Sequence, residues 1–520
     1  MTHRAIATIG GWGHPCRSHR FRVNLLLYFA CSGLGLSAPA MASDPWTPEK
    51  IAALTDVVDA YDRAERFSGV VLVAAGDRIL LHEARGLANA EHRIPNKPST
   101  VFRLASVTKM MTAAAVLRLV DQGKLELSDP VGRYVPALGR EFGEKLTVHQ
   151  LLSHRSGLLR NIEDASDKGL CDRFTVPEIL ELARSRPLRF EPGSRHEYSN
   201  VGYSICAVII QALTGRIYAD AMRELVFKPL NMTRTGHERP RAVIPDMASG
   251  YLRLPDGLVR PCHEDKSSVP GAGSLYSTAE NVLRFSLAVR SAGFLSDRSR
   301  ATMFTSYDGD DWGYGWHTFE QTDPSGAQGR KGWEHDGSCP GFAAVHRAYS
   351  TGETIVLLAN VRAGGSRPLG LREMVTALDA VMFGGEAPSV DDYSTDLDRI
   401  ARIAIETGPQ AAADAWAALP DAATRPAEAA VNRLAYDYYF ARELERAIAL
   451  NRFQTLVFPS ANAYDSLGET YAMAGMFEEA AAAYRKAVAV DPTFANAQAK
   501  LRELSEKAPA GKDHNTASDP

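Results

Sequence analysis

The spacing of apolar and polar positions divides the chain into a mixed segment of strands and helices and a later segment that is helical throughout. Two apolar runs that meet at Gly76-Asp77 predict a β-hairpin. The pattern predicts helices over 44–66, 106–122 and 203–214, and strands over 70–74, 78–83, 312–318, 343–349 and 354–360. Strands at both ends of the mixed segment, with helices between them, predict an α+β or α/β sandwich whose sheet is built from both ends.

Alanine becomes frequent after residue 385, where strand-like runs are rare, and alanine favours helix. From 461 to 494, the Tyr, Leu, Gly, Ala and Pro positions match the tetratricopeptide spacing, and a weaker copy precedes them. We therefore predict a helical linker over 386–427, tetratricopeptide-like repeats over 428–505 and a disordered tail over 506–520. Ordinary amphipathic hairpins are the alternative. Because a free array needs about three repeats, we expect these to lean on neighbouring segments, and a protein partner of residues 428–505 is a further hypothesis.

The first residues have the composition of an export signal. Residues 1–22 contain four arginines and no acidic residue, residues 23–36 are mostly apolar, and small residues follow at alternate positions. We predict a signal peptide over 1–42 and a periplasmic or secreted protein. An uncleaved anchor is the alternative, but the apolar run is shorter than the ~20 residues that span a bilayer, so no stable membrane span is expected after cleavage.

Composition excludes some partners and cofactors. The chain has 520 residues, 23% of them charged, and a net charge of −4, which gives no electrostatic reason to expect nucleic acid. The cysteines that follow the signal show no metal-binding spacing, and we predict neither a metal nor a cofactor. We also predict no obligatory disulfide, and we expect Cys206, in an apolar helix-like run, to be a buried thiol. These four cysteines are Cys171, Cys206, Cys262 and Cys339.

The candidate chemistry begins with Ser106 and Lys109, which share a face of the predicted helix. A serine needs a base to act as a nucleophile, and burial can lower the pKa of a lysine enough for it to serve. The backbone N–H of a serine at a helix start can also face a developing oxyanion. A helix-capping serine beside an exposed lysine is the alternative interpretation.

Two later strings carry further polar groups. Tyr198 can hold or relay a proton, and Asn200 can orient Lys109 and a substrate amide, although a turn tyrosine and a capping asparagine fit the pattern too. In the string His335-Asp336-Gly337, the histidine can contact a substrate carboxylate or the Tyr198 hydroxyl. The glycine permits close approach of a substrate backbone, and Ser338 N–H can be a second oxyanion donor. A surface loop is the alternative, and a metal site lacks further ligands at suitable spacing.

Taken in this order, the three strings resemble the penicillin-recognising serine hydrolases, which include class C β-lactamases, D,D-carboxypeptidases, esterases and D-aminopeptidases. The resemblance covers about residues 48–384. Further stretches that resemble the family lie at 151–158, 191–193, 229–233, 271–278 and 314–316.

The resemblance implies a domain of the β-lactamase/transpeptidase type over 44–385, with an antiparallel sheet flanked by helices, followed by the all-α tetratricopeptide-like segment. It implies that Ser106 forms the acyl-enzyme, that Lys109 assists its deprotonation, and that Tyr198 is the general base and later the acid. Asn200 would position the substrate.

One position departs from the β-lactamase pattern. Many β-lactamases have Lys-Thr-Gly where this chain has His335-Asp336-Gly337, and Asp336 adds negative charge where anionic substrates would lie. We therefore predict a serine hydrolase of an amide or ester bond, of the D,D-peptidase, D-aminopeptidase or esterase type, acting on a small molecule or peptide. A true class C β-lactamase and a weakly catalytic penicillin-binding scaffold or sensor are the alternatives.

Overall fold

The computed structural model describes residues 44–166, 168, 171–239, 241–307, 309–321, 330–363, 370–390, 396–420 and 425–507. Residues 1–45 and residues 46–520 form separate units, and only residues 44 and 45 of the first are described. The predicted signal peptide over 1–42 therefore lies outside the described residues, as do residues 508–520 of the predicted tail.

Strands and α-helices alternate along the first part of the described chain, and α-helices alone make up its last part. The strands are β1 (Gly69–Ala75), β2 (Arg78–Arg85), β3 (Leu87–Asn89), β4 (Ile94–Pro95), β5 (Phe102–Arg103), β6 (Gly236–His237), β7 (Tyr251–Leu254), β8 (Gly257–Val259), β9 (Leu275–Ser277), β10 (His317–Gln321), β11 (Arg330–Cys339), β12 (Phe342–Tyr349), β13 (Glu353–Ala359) and β14 (Val361–Ala363). The α-helices are α1 (Pro48–Arg63), α2 (Thr108–Asp121), α3 (Gly139–Lys145), α4 (Val148–Leu152), α5 (Val176–Arg184), α6 (Asn200–Thr214), α7 (Tyr218–Met222), α8 (Ala279–Arg290), α9 (Asp297–Met303), α10 (Gly370–Met382), α11 (Asp396–Glu406), α12 (Pro409–Ala417), α13 (Glu428–Phe440), α14 (Leu444–Val457), α15 (Ala461–Met473), α16 (Phe477–Val490) and α17 (Ala495–Lys507).

The main sheet has the strand order β10-β11-β12-β13-β1-β2, and every neighbouring pair is antiparallel. Gly69 at the start of β1 faces Ala359 at the end of β13, so the sheet is built from both ends of the domain, as predicted. The predicted strand over 312–318 is misplaced, because β10 begins at His317 and Trp312 makes only an isolated bridge to it.

Helices cover both faces of this sheet, which explains why β1 is apolar along its whole length. Successive side chains of a strand point to opposite faces. Val71 and Val73 pack with Leu54 of α1 and with residues of α10. Val70 and Leu72, on the other face, pack with α2, α6 and α8 in the larger core cluster. The domain thus has a three-layer arrangement of helix, sheet and helix.

The C-terminal helices pack on one small hairpin of the preceding domain. Leu252 and Leu254 of β7 share a core cluster with residues of α11, α12, α13 and α14. The pairs α13–α14 and α15–α16 are helical hairpins, and α17 packs on α16. The all-helical character of this segment is confirmed, whereas its assignment to tetratricopeptide repeats stays a prediction. Within the described chain, no single helix is long and apolar enough to cross a membrane; the bent pair Asn200–Thr214 and Tyr218–Phe227 meets that test by length and composition only.

The structure corrects one expectation about the cysteines. Cys171 and Cys262 form a disulfide with a Cα–Cα distance of 6.2 Å, within the range that the bond allows. The partners are 91 residues apart and meet only because two loops fold together. The expectation of no obligatory disulfide is therefore wrong, because spacing along the chain carries no information on that contact. Cys206 is a buried free thiol, as predicted.

Candidate active site

Ser106 lies in a sharp connection between β5 and α2. A single 3-10 turn covers Ala105–Val107, and α2 follows at Thr108. Ala105 has a φ of 45°, in the left-handed region that costs a non-glycine residue about 1–2 kcal/mol. The turn is fixed from behind, because Leu275 N–H donates to Thr108 Oγ1 at 3.1 Å. The surrounding fold thus holds Ser106 in a strained turn, and Ser106 lines a cleft in the surface of the domain.

Lys109 is fully buried one residue into α2. Its Nζ lies 3.3 Å from Ser106 Oγ, 2.7 Å from Asn200 Oδ1 and 2.8 Å from Ala272 O. Burial, reinforced by the positive charge of Arg160, lowers the pKa of Lys109 well below its usual value. A neutral amine has two N–H groups, and Lys109 can donate them to Asn200 Oδ1 and Ala272 O. Its lone pair is then left for the Ser106 hydroxyl.

Tyr198 forms one wall beside this pair. Its ring stacks on His154 with a centroid distance of 4.3 Å, and Lys109 Nζ lies 4.7 Å from the Tyr198 ring centroid. Burial raises the pKa of Tyr198 above its usual value, although a hydrogen bond with Ser106 and the charge of Arg160 oppose this. Tyr198 therefore keeps its hydroxyl proton at neutral pH and is suited to relay a proton rather than to act as a phenolate.

Asn200 connects the tyrosine string to the lysine. Its Oδ1 accepts from Lys109 Nζ, and its Nδ2 donates to Asn161 Oδ1 at 2.7 Å. The side chain that caps α6 is Ser199, whose Oγ accepts from Gly202 N–H at 3.0 Å. Asn200 is thus not the capping side chain and is available to orient Lys109.

His335 lies on β11, is 3% exposed and lines the same cleft as Ser106. Its Nδ1 donates to the Asp336 carbonyl at 2.8 Å, which leaves Nε2 as an acceptor. That Nε2 is buried without a hydrogen-bond partner among the described residues. Burial lowers the pKa of His335 to about 3. His335 is therefore neutral and suits a donor group, not a carboxylate.

Asp336 forms an ion pair with Arg372 of α10. Burial raises the pKa of Asp336, and the charge of Arg372 opposes that shift. The negative charge expected from the sequence is thus balanced by an arginine from the other end of the domain. Arg372 also lines the cleft, and its side chain is 66% exposed.

The end of β11 is an open edge towards the cleft. β10 pairs with β11 only as far as His317 opposite Glu334, so residues 335–339 have β12 as their only described strand neighbour. A two-residue loop closes the hairpin between Cys339 and Phe342. In an antiparallel hairpin, hydrogen-bonded pairs alternate with pairs whose backbone N–H and C=O groups point away from the partner strand. Cys339–Phe342 is the hydrogen-bonded closing pair, so Ser338–Ala343 is a pair of the second kind. Ser338 N–H therefore points to the open edge.

Gly337 is required for a reason other than the predicted approach of substrate. A Cβ at this position would lie 2.2 Å from Leu104 O and 3.2 Å from Ala105 Cβ. The missing side chain thus lets β11 pack against the turn that holds Ser106.

The cleft has a volume of about 810 Å3 and mixed charge. Trp312 closes one side, with its ring centroid 5.7 Å from that of Tyr198 and 5.6 Å from that of His335. In the described part of the molecule, no group of three or more His, Cys, Asp or Glu side chains is placed to hold a metal ion. The charged lining residues are Arg160, Glu163, Glu264, Lys266, Glu334, Asp336, Arg362, Arg372 and Asp437.

The structure brings together all the residues that the sequence singled out: Ser106, Lys109, Tyr198, Asn200, His335, Gly337 and Ser338. Sequence reasoning missed His154, which supports Tyr198 and accepts from Ser199 N–H at 3.1 Å, although it lies in a stretch noted for its resemblance. It also missed Arg372 and Phe440, for which no local signal exists.

Comparison with known proteins agrees with this geometry. The family model described as Beta-lactamase matches residues 54–377. PbpX of Bacillus subtilis, which carries the name of a penicillin-binding protein, is 30% identical over 301 residues, or 58% of this chain and 72% of its own length. Esterase EstB of Burkholderia gladioli is 33% identical over 319 residues, or 53% of this chain and 81% of its own length.

The solved structures include the penicillin binding protein from Bacillus halodurans. It aligns with a TM-score of 0.54 and 25% identity, over 62% of this chain and 98% of that one. The predicted fold class is thereby confirmed, with its antiparallel sheet flanked by helices and a helical segment after it.

Proposed function

The chain belongs to the beta-lactamase family of serine hydrolases, and from this premise we propose that it is an exported enzyme that cleaves an ester or amide bond through an acyl-enzyme on Ser106. The observation that carries the proposal is the fully buried Lys109, whose Nζ is held 3.3 Å from Ser106 Oγ by two other acceptors. Small esters and peptides that contain D-amino acids are the proposed substrates.

In acylation, Ser106 Oγ attacks the carbonyl carbon while its proton passes to neutral Lys109. The bond to the leaving oxygen or nitrogen then breaks, and Tyr198 donates its hydroxyl proton to that atom as it recovers one from Lys109. The serine proton thus ends on the leaving group, and both side chains return to their starting states. In this assignment Lys109 is the base and Tyr198 the relay, which differs from the roles that the resemblance implied.

The charge that develops on the carbonyl oxygen needs donors that are already in place. We assign this role to the N–H groups of Ser106 and Ser338. Ser106 begins the connection into α2, and the strand alternation points Ser338 N–H towards the cleft. Close packing at Gly337 brings these two backbone segments together.

The open edge of β11 supports a peptide-like substrate, because an extended backbone can pair with free groups of an edge strand. Neutral His335 provides an acceptor for an N–H or O–H of that substrate. No lysine stands at this position to bind the carboxylate of a β-lactam, so we expect slow β-lactam turnover at most.

The first experiment follows the intact mass of the mature chain with a penicillin and, separately, with p-nitrophenyl acetate. We expect Ser106→Ala to form no adduct and to release no p-nitrophenol, whereas Thr108→Ser, on the side of α2 buried against β9, keeps activity. A lasting penicillin adduct would favour the D,D-peptidase type. Rapid loss of the drug would favour a true β-lactamase. Absence of every Ser106-dependent reaction would favour the scaffold and would refute the proposal.

Export is supported by the disulfide, since such bonds persist in oxidising compartments and are rare in the cytosol. We propose a periplasmic or secreted location. Cell fractionation with N-terminal sequencing of the mature chain tests this. A chain that is found in the cytosol with residues 1–42 retained would refute it.

A further inference from the structure

We propose that Phe440, the last residue of α13, is a specificity-determining residue that takes an apolar alkyl or aryl group of the substrate, away from the scissile bond. This inference rests on the proposed hydrolase function. It gives the C-terminal helical segment a part in substrate selection, in place of a separate binding task.

The first support is the position of α13. Asp437 and Phe440 line the same cleft as Ser106 and Tyr198, although they follow the β-lactamase-like match by some 60 residues of chain. The helical segment is therefore one wall of the cleft. A substrate larger than the reacting group meets that wall.

The wall is held in place by a specific docking contact. Buried Tyr438 of α13 donates its hydroxyl to Asp256 Oδ1 at 2.7 Å, and Arg446 Nε of α14 lies 3.1 Å from the other oxygen of Asp256. Around these contacts to Asp256, Leu252 and Leu254 are buried against α13 and its neighbouring helices. Because both polar and apolar contacts fix α13 on the β7–β8 hairpin, Phe440 has a defined position.

The position of Phe440 relative to Ser106 follows from the packing at the end of β11. Beyond Ser338, the loop at Pro340–Gly341 packs on the start of β7, since a Cβ on Gly341 would lie 2.6 Å from the Gly250 carbonyl carbon. Strand β7 in turn carries α13. Phe440 is thus reached along the open edge of β11, past Ser338.

Of the two α13 residues that line the cleft, Asp437 is 5% exposed, so the surface that α13 offers to a substrate is mainly the apolar ring of Phe440. The Phe440 side chain is 46% exposed, which is high for a large apolar residue, and it packs with Tyr436 and Tyr439 at ring-centroid distances of 5.9 and 5.3 Å. Leu252 and Pro340 line the same cleft. An exposed aromatic ring that is backed by other aromatic rings gains free energy when an apolar group covers it.

The test uses the full mature chain and two ester series. One series lengthens the acyl group from acetate to decanoate with a fixed alcohol, and the other lengthens the alcohol from methyl to decyl with a fixed acetyl group. We expect wild type to prefer long members in one series. Phe440→Ala should lower kcat/KM about tenfold for those members, equal to about 1.4 kcal/mol, and leave the shortest member unchanged.

Two further variants separate selectivity from folding. Phe440→Leu keeps an apolar group and should retain most of the preference. Phe477→Ala removes a ring that is 60% exposed on α16 and does not line the cleft, and it should change nothing. Equal effects of Phe440→Ala on all members, or none on any, would overturn the inference. If wild type shows no Ser106-dependent reaction with any of these esters or with penicillin, the proposed function itself is refuted.

Discussion

An alanine at Gly337 tests whether Ser106 is positioned by the contact between β11 and the turn before α2. The added Cβ would lie 2.2 Å from Leu104 O, about 1 Å closer than two such atoms can approach without repulsion. Leu104 O belongs to the main chain, so strand and turn must separate by roughly that distance. Overpacking of this kind costs about 1–3 kcal/mol of unfolding free energy. A misplacement of about 1 Å at a catalytic centre costs about 100-fold in rate.

We therefore expect urea unfolding of Gly337→Ala to show a free energy of unfolding that is lower by about 1–3 kcal/mol. The rate of acyl-enzyme formation, measured by intact mass, should fall about 100-fold. Gly202→Ala is the matched control. Gly202 is a buried glycine of α6 where the nearest atom to a Cβ would lie 3.4 Å away, so stability and acylation should be kept. A Gly337→Ala variant with wild-type stability and acylation rate would refute the positioning argument.

Three other changes test the base, the docking contact and the disulfide. Burial lowers the pKa of Lys109 from 10.5, and only the neutral amine can act as the base, so kcat/KM should stay high until the pH falls through that lowered pKa. A pH–rate profile in which kcat/KM rises only near pH 10.5 would contradict the assignment. Asp256→Ala leaves the buried Tyr438 hydroxyl without its acceptor, so urea unfolding should show a loss of about 1–3 kcal/mol, whereas Asp297→Ala, with a carboxylate that is 86% exposed, should change it by less than about 0.5 kcal/mol. Cys262→Ser should lower the unfolding free energy by about 2–4 kcal/mol, and wild type with a reductant should melt with the variant; equal melting of variant and oxidised wild type would show that the bond contributes nothing.

Local pattern was sufficient for the elements whose environment is uniform. The run over 70–74 is apolar because both faces of β1 are covered, and α6 is apolar over its length because it lies in the core. The start of β10 could not be predicted. Trp312 stacks on His196 at 5.5 Å instead of joining the sheet, and Gly315 packs on the backbone of Lys109. Both contacts join residues that are far apart in sequence.

The same distinction applies to the site. Ser106 and Lys109 were recognisable because they lie one helical turn apart, and Tyr198 with Asn200 forms a compact string. Arg372 reaches Asp336 from the end of the domain, and Phe440 reaches the cleft from a different helical segment. Periodicity identifies α10 and α13 as helices, but only the packed structure shows which of their residues meet the cleft.

The pairing of β1 with β13 also determines when this domain can fold during synthesis. Gly69 of β1 faces Ala359 of β13 in the interior of the sheet, so β1 has no partner on that side until most of the domain has been synthesised. Contacts between such distant parts of a chain form slowly, because a long loop must close first. The nascent chain therefore carries the β1–β2 hairpin without its β13 partner until residue 359 of 520 has been synthesised, and the cleft on β11 can be assembled only after that point.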